Sequence, residues 1–240
     1  IAVLVDFACL IAQKNDIYGH VWQQFGVNSI EAYGDYDESC MFAYASGMIV
    51  ESYYKFFKLT KKQKVVAHFN EWQTSFGVYY IKEHLPQVAT LFTTHATSIG
   101  RSIAGNLKPL YNYLDEYDGD QMACELNMVS KHSTEKVAAH IVDCFTTVSD
   151  ITANECTQLL EKTPDIVAPN GLEDDFVPKT KEFNRKKKEA RDILRKVAET
   201  LFGYALQDNA VFFDTAGRYE YKNKGLDVFI ESLKHLSNME

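Results

Sequence analysis

Proline is scarce at five of 240 residues, and no low-complexity tract or internal repeat is present. Together these exclude a disordered or fibrous chain. Positive charge is also short: 25 Lys and Arg face 33 Asp and Glu, giving a net charge of −8. A protein that grips nucleic acid needs a basic face, so nucleic acid is excluded as a partner. The one basic cluster, Arg185, Lys186, Lys187 and Lys188, is interleaved with Glu182 and Glu189 and reads as a solvated helix face. No apolar run approaches the roughly 20 residues a membrane span needs, and no signal-peptide order opens the chain, so no membrane partner is expected. The five cysteines, Cys9, Cys40, Cys124, Cys144 and Cys156, are odd in number and form no CxxC pair. That pattern fits reduced thiols rather than a disulfide framework or a zinc site, and points to a cytoplasmic protein.

What is present is a 46% hydrophobic, 24% charged chain with the balance of an ordinary globular protein. It opens on IAVLVDF, which reads as a buried strand with nothing before it, so the sequence is expected to be an internal piece of a longer protein. Apolar runs of strand length recur at 65–69, 88–94, 141–148, 165–168 and 210–214, with helical stretches between them. Such alternation predicts an α/β fold: a doubly wound, Rossmann-like parallel sheet with helices on both faces. Between 181 and 205 the spacing of Ala190, Ile193, Leu194, Val197, Leu201 and Phe202 predicts an amphipathic helix. It leads into AVFFDTAG, where a second lobe is expected to begin, giving lobes of 1–207 and 208–240.

In an open parallel sheet, ligands bind outside the carboxyl ends of the strands, so the polar segments there carry the candidates. After the run at 210–214, Arg218 and Lys224 stand around a turn before a helix start, a position suited to anions; the competing reading is solvated surface charge. At 93–101, TTHATSIGR delivers His95 to the strand edge with Arg101 one turn on. A neutral imidazole can hydrogen-bond a sugar and a guanidinium can bind phosphate, although a strand-end histidine is also a common structural group. HFNEW places Glu71 beside Trp72, a carboxylate and an aromatic ring as sugar sites use, or else a helix N-terminal charge. In PNG, Asn170 marks a tight turn first and a ligand contact second. The pairs Asp35/Asp37 and Asp118/Asp120 invite a metal reading, but their surroundings are turn-like and no metal is expected.

VVAHFNEW, ATLFTTHATSIGR, CFTTVSDIT, PDIVAPNGL and AGRYEYKNKGLDVF, in this order, resemble the glycogen synthases of animals and fungi over nearly the whole chain. The likeness is most specific in TTHAT, FTTVS, PNGL and GRYEYKNKG. Lys224 stands six positions after Arg218, as in that family; bacterial and plant starch-type synthases have five. The resemblance implies a GT-B fold and a metal-free, cofactor-free, retaining transfer of glucose from UDP-glucose to the nonreducing end of an α-1,4-glucan. It implies that Arg218 and Lys224 neutralise the departing diphosphate, His95 faces the glucosyl ring, and Arg101 is a second donor-phosphate residue. By the same likeness Asn170 is a cleft residue and Glu71 an acidic residue near the sugar. Asn70 stands where the family usually has a second histidine, and the family's glycine-rich first turn and late glutamate pair are outside this sequence. The piece alone is therefore expected to be inactive. The alternatives are a noncatalytic glucan-binding or scaffolding protein of the same fold, and a transferase with another acceptor. Nothing in the sequence fixes an oligomeric state, and a homo-oligomer of the parent enzyme stays open.

Overall fold

The computed structural model describes residues 2–60, 62–222 and 224–237. They divide into two compact units, 1–170 and 171–240. The first unit begins with α1 (Ala8–Ile11), α2 (Lys14–Phe25) and α3 (Tyr36–Phe56). There follow β1 (Val66–Asn70), α4 (Ser75–His84) and β2 (Ala89–Thr94). Next come α5 (Ser98–Gly105), α6 (Gly119–Glu125), α7 (Val129–Ile141), β3 (Cys144–Thr147), α8 (Asp150–Leu159) and β4 (Ile166–Val167). The strands form one parallel sheet in the order β1-β2-β3-β4, with Asn70 opposite Thr93 and Thr94 opposite Thr147. A four-stranded parallel sheet flanked by helices is thus the α/β architecture that the alternating runs predict, and each strand ends at one common edge.

One face of the sheet, through Ala67, Phe69, Phe92 and Phe145, enters the main core with α2, α3, α4, α7 and α8. On the opposite face Val66 and Ile166 are exposed. Helices α3 and α4 approach closely because the contact is built from small residues. A Cβ at Gly47 would lie 2.7 Å from Tyr80 Cβ, and one at Gly77 would lie 2.9 Å from the Ala43 carbonyl oxygen. Around this seam Tyr18, Tyr36, Trp72, Phe76 and Tyr79 form an aromatic cluster, with Tyr36 and Trp72 stacked at 5.8 Å. A second core, of Ile99, Ile103, Leu110, Met122, Ala123, Met128 and Leu159, lies under α5, α6 and α8. No helix among the described residues is long and apolar enough to cross a membrane.

The second unit holds α9 (Thr180–Phe202), matching the amphipathic segment at 181–205, and α10 (Leu226–Ser237), which begins where a helix start is expected after Lys224. Two predicted strands do not form. Of IAVLVDF, residue 1 lies outside the described residues, and residues 2–7 have no strand, with Leu4 98% exposed. The run at 210–214 is also irregular and mostly exposed. Both are apolar enough for a strand, but a strand exists only through a ladder, and no neighbour pairs with either among the described residues. The carbonyls leading into 210–214 are taken instead by arginines of α9. Arg195 donates to the Leu206, Gln207 and Asp208 oxygens and Arg191 to those of Asp208 and Ala210.

Candidate functional site

The carboxyl edge of β1 and β2 gathers four polar side chains. The ladder extends one step past β1, where the Glu71 N–H donates to the Thr93 oxygen (2.9 Å). Glu71 itself has φ 63° and ψ 165°. That region is nearly confined to glycine and costs a side-chain-bearing residue about 1–3 kcal/mol. The strained backbone turns the Glu71 carboxylate along the edge toward the neighbouring strand end. Its Oε1 accepts the His95 N–H (3.1 Å) and Arg101 Nη2 (3.3 Å). The His95 ring closes the group, with Nε2 3.1 Å from Asn70 Oδ1. An amide oxygen only accepts, so Nε2 is the donor in this contact, and in a neutral ring that leaves Nδ1 as an acceptor. Asn70 thus serves the imidazole as a neutral hydrogen-bond partner.

Arg101 reaches this group because Thr97 starts α5 at the right place. Its hydroxyl caps the helix by accepting the Gly100 N–H (3.0 Å), and the Arg101 N–H bonds the Thr97 carbonyl (3.0 Å). Burial raises the Glu71 pKa above the usual carboxylate value, and the Arg101 cation and the His95 N–H oppose that rise. Arg101 Nη2 is taken by Glu71 and its Nε by the Ala96 oxygen (3.5 Å), but the side chain is half exposed while Glu71 is largely covered, which is the geometry of a cation held by a carboxylate with one face open toward an anion.

Glu71, His95 and Arg101 are therefore brought together, although 30 residues separate the first from the last. Asn170 follows β4 at the same edge and is exposed; β3 lies between its strand and that of His95. Arg218 and Lys224 belong to the second unit. There the Glu220 N–H donates to the Arg218 oxygen (2.7 Å) and the Lys224 N–H to the Glu220 oxygen (2.9 Å), so both cations flank one turn. The Lys224 stem lies against Gly217, 3.5 Å from where a Cβ would stand. Arg218 pairs with Glu220 at 3.0 Å and is exposed.

Trp72 is not a sugar platform. It is 6% exposed, stacked on Tyr36, with the Lys131 ammonium 4.7 Å from its ring, so the aromatic of HFNEW is spent on the core. The aspartate pairs are likewise divided among separate partners. Asp35 pairs with Lys131 and Asp37 with Lys14 and Tyr18; Asp118 caps α6, and Asp120 holds His132 and Lys136. Among the described residues no group of three or more His, Cys, Asp or Glu could hold a metal.

Two residues behind the site escaped the sequence reading. Glu135 of α7 and Glu155 of α8 are buried beneath the 94–98 turn. Each looks in the sequence like an ordinary helix-surface charge, and no periodicity distinguishes them. Desolvation lifts Glu135 to about 7 against the hydrogen bonds from Ser98 and Thr94. A raised carboxyl pKa means the folded state binds its proton more tightly than the unfolded state. The resulting stability is complete below about 4.5 and is lost as pH rises toward 7. Glu135→Gln mimics the protonated form at every pH. In urea unfolding the variant is expected to gain on the wild type by up to about 1.4 kcal/mol per pH unit across that window. Parallel pH profiles for the two proteins would show that Glu135 does not titrate there.

The family described as Glycogen synthase matches residues 1–240. The chain is 34% identical over 240 residues to Glycogen [starch] synthase isoform 2 of Saccharomyces cerevisiae, covering 98% of this chain and 34% of that protein. It is 37% identical over 240 residues to Glycogen [starch] synthase of Neurospora crassa, covering 98% and 33%. To Glycogen [starch] synthase, liver, of Homo sapiens it is 37% identical over 177 residues, covering 72% and 25%. The chain thus spans about a third of the length of the fungal relatives. The match over the whole chain shows that it belongs to the glycogen synthase family.

Proposed function

We propose that the full-length protein is a cytoplasmic, retaining glucosyltransferase that moves glucose from UDP-glucose to the nonreducing end of an α-1,4-glucan, without metal or cofactor. The observation that carries this reading is the convergence of Glu71, His95 and Arg101 on one strand edge, in the motifs the family resemblance singles out. The transition state resembles an oxocarbenium ion parting from a diphosphate, so fixed cations aimed at the phosphates stabilise charge as it develops. Arg101 is one such cation, and by the family likeness Arg218 and Lys224, on the stretch after 208 that opens the second lobe, are donor-phosphate cations of the full-length protein. His95 lies along the glucosyl ring, with Nδ1 as its free acceptor. Glu71 holds the His95 backbone and the Arg101 guanidinium in register. Asn170 borders the cleft on the far side of β3.

The test is transfer of labelled glucose from UDP-glucose into glycogen by the full-length protein, in the presence of a chelator. Labelled α-1,4-linked glucan and released UDP are expected. Glucan binding with no transfer would identify the noncatalytic alternative. Transfer to a small sugar in preference to glycogen would identify another acceptor.

A further inference from the structure

Glu135 is fully buried and Glu155 is 2% exposed, yet the transfer chemistry as written uses neither. A buried carboxylate is costly to keep, and apolar side chains of similar volume would fill the same space at less cost. Its presence at two buried positions therefore asks for a task, and the hydrogen bonds specify one. Glu135 accepts the Thr94 hydroxyl on Oε1 (3.1 Å) and the Ser98 N–H on Oε2 (2.6 Å). Glu155 Oε1 accepts both the N–H (2.9 Å) and the hydroxyl of Thr97, and its Oε2 accepts the Tyr111 hydroxyl (3.2 Å). All of these donors except Tyr111 lie between residues 94 and 98. That segment carries His95 and begins α5, the helix bearing Arg101. The Thr97 and Ser98 N–H groups stand at the helix start, where the backbone has no partner of its own. Gly100 is shaped to the same contact, because a Cβ there would lie 2.3 Å from Glu155 Oε1 and 2.6 Å from Thr97 Oγ1.

We propose that Glu135 and Glu155 are positioning residues that clamp the 94–98 turn from beneath and so fix His95 and Arg101 against the donor sugar and its phosphate. The two carboxylates come from different helices, α7 and α8, so the turn is held from two directions. A displacement of about 1 Å in a reacting group can cost a hundredfold in rate, which gives such a clamp a catalytic consequence without contact to substrate. The proposal rests on the transfer reaction above, in which His95 and Arg101 touch the donor.

The experiment is steady-state kinetics on the full-length protein with UDP-glucose and glycogen, normalised to folded protein, together with hydrogen exchange of the peptide spanning 94–101. Glu135→Met and Glu155→Met remove the acceptors while keeping side-chain length. Both are expected to lower kcat tenfold or more and to raise KM for UDP-glucose, with faster exchange at 94–101. Glu135→Gln and Glu155→Gln keep an oxygen for each backbone N–H, and turnover is expected to recover to within about threefold of wild type. Gly100→Ala keeps both carboxylates but pushes Glu155 aside, and is expected to reproduce the Glu155→Met loss. It also serves as the test if the Met variants do not fold. A purely structural role would lower the melting temperature and leave kcat and KM per folded molecule unchanged; that result overturns the proposal. So would Gln variants no better than Met. If the wild type transfers no glucose, the functional reading fails by itself, and unchanged exchange at 94–101 in the variants then overturns the clamp.

Discussion

Lys224→Ala is expected to lower turnover of the full-length protein with UDP-glucose by roughly a hundredfold or more, through the loss of about 2.7–4 kcal/mol of transition-state stabilisation. Lys224 is exposed, and its stem lies along Gly217. Truncation therefore opens no cavity and removes mainly a charge. Its backbone N–H, bonded to the Glu220 oxygen at 2.9 Å, is untouched by the substitution, so the turn that also carries Arg218 survives. In the proposed reaction the leaving diphosphate gains charge only as its bond to the sugar breaks, so kcat and kcat/KM are expected to fall together. Lys224→Arg is expected to rescue poorly, since a planar fork cannot occupy the place of a compact ammonium without moving the stem off Gly217. Steady-state kinetics on both variants, with circular dichroism to confirm folding, decides the matter; near-normal turnover in the alanine variant would remove Lys224 from the reaction.

The parts of this protein that were legible in the sequence are those governed by local periodicity. β1, β2 and β3 follow from short apolar runs, and α9 from three- and four-residue spacing of apolar positions. The strand-end rule then placed His95 and Glu71 at one edge, because parallel topology leaves their strand ends no alternative, and Arg101 follows one turn on, at the start of α5. What was not legible depended on partners distant in sequence. Residues 210–214 have a strand's composition but Arg191 and Arg195 claim the carbonyls that lead into them. Trp72 has a sugar platform's chemistry, but Tyr36, 36 positions earlier, stacks on it. Glu135 and Glu155 are charged letters in amphipathic helices, and only the fold reveals that they point inward. The strained φ of Glu71 is likewise silent in the sequence, since nothing in HFNEW signals a left-handed residue.

Arg101→Ala is expected to have the second large effect, and it reads out the site in two ways at once. With Arg101 in its proposed role at the donor phosphate, kcat/KM for UDP-glucose is expected to fall by about a hundredfold, as for other lost cations at a developing charge. The same guanidinium is also the strongest counterweight to the burial that raises the Glu71 pKa. Removing it leaves burial opposed chiefly by the His95 N–H, and the Glu71 pKa rises further. Ionised Glu71, the form that holds the His95 backbone, is then populated only at higher pH. The acid limb of the pH–rate profile is therefore expected to move upward in Arg101→Ala. Arg101→Lys restores a positive charge without the fork, so it is expected to return the limb toward its wild-type position while recovering only part of the rate. In a Glu71→Gln background there is no carboxylate to titrate, and Arg101→Ala is expected to lower the rate with no movement of the limb. Profiles of kcat/KM against pH for the four variants separate the two roles. An unmoved limb in Arg101→Ala would show that the Glu71–Arg101 contact of 3.3 Å has no part in the working enzyme.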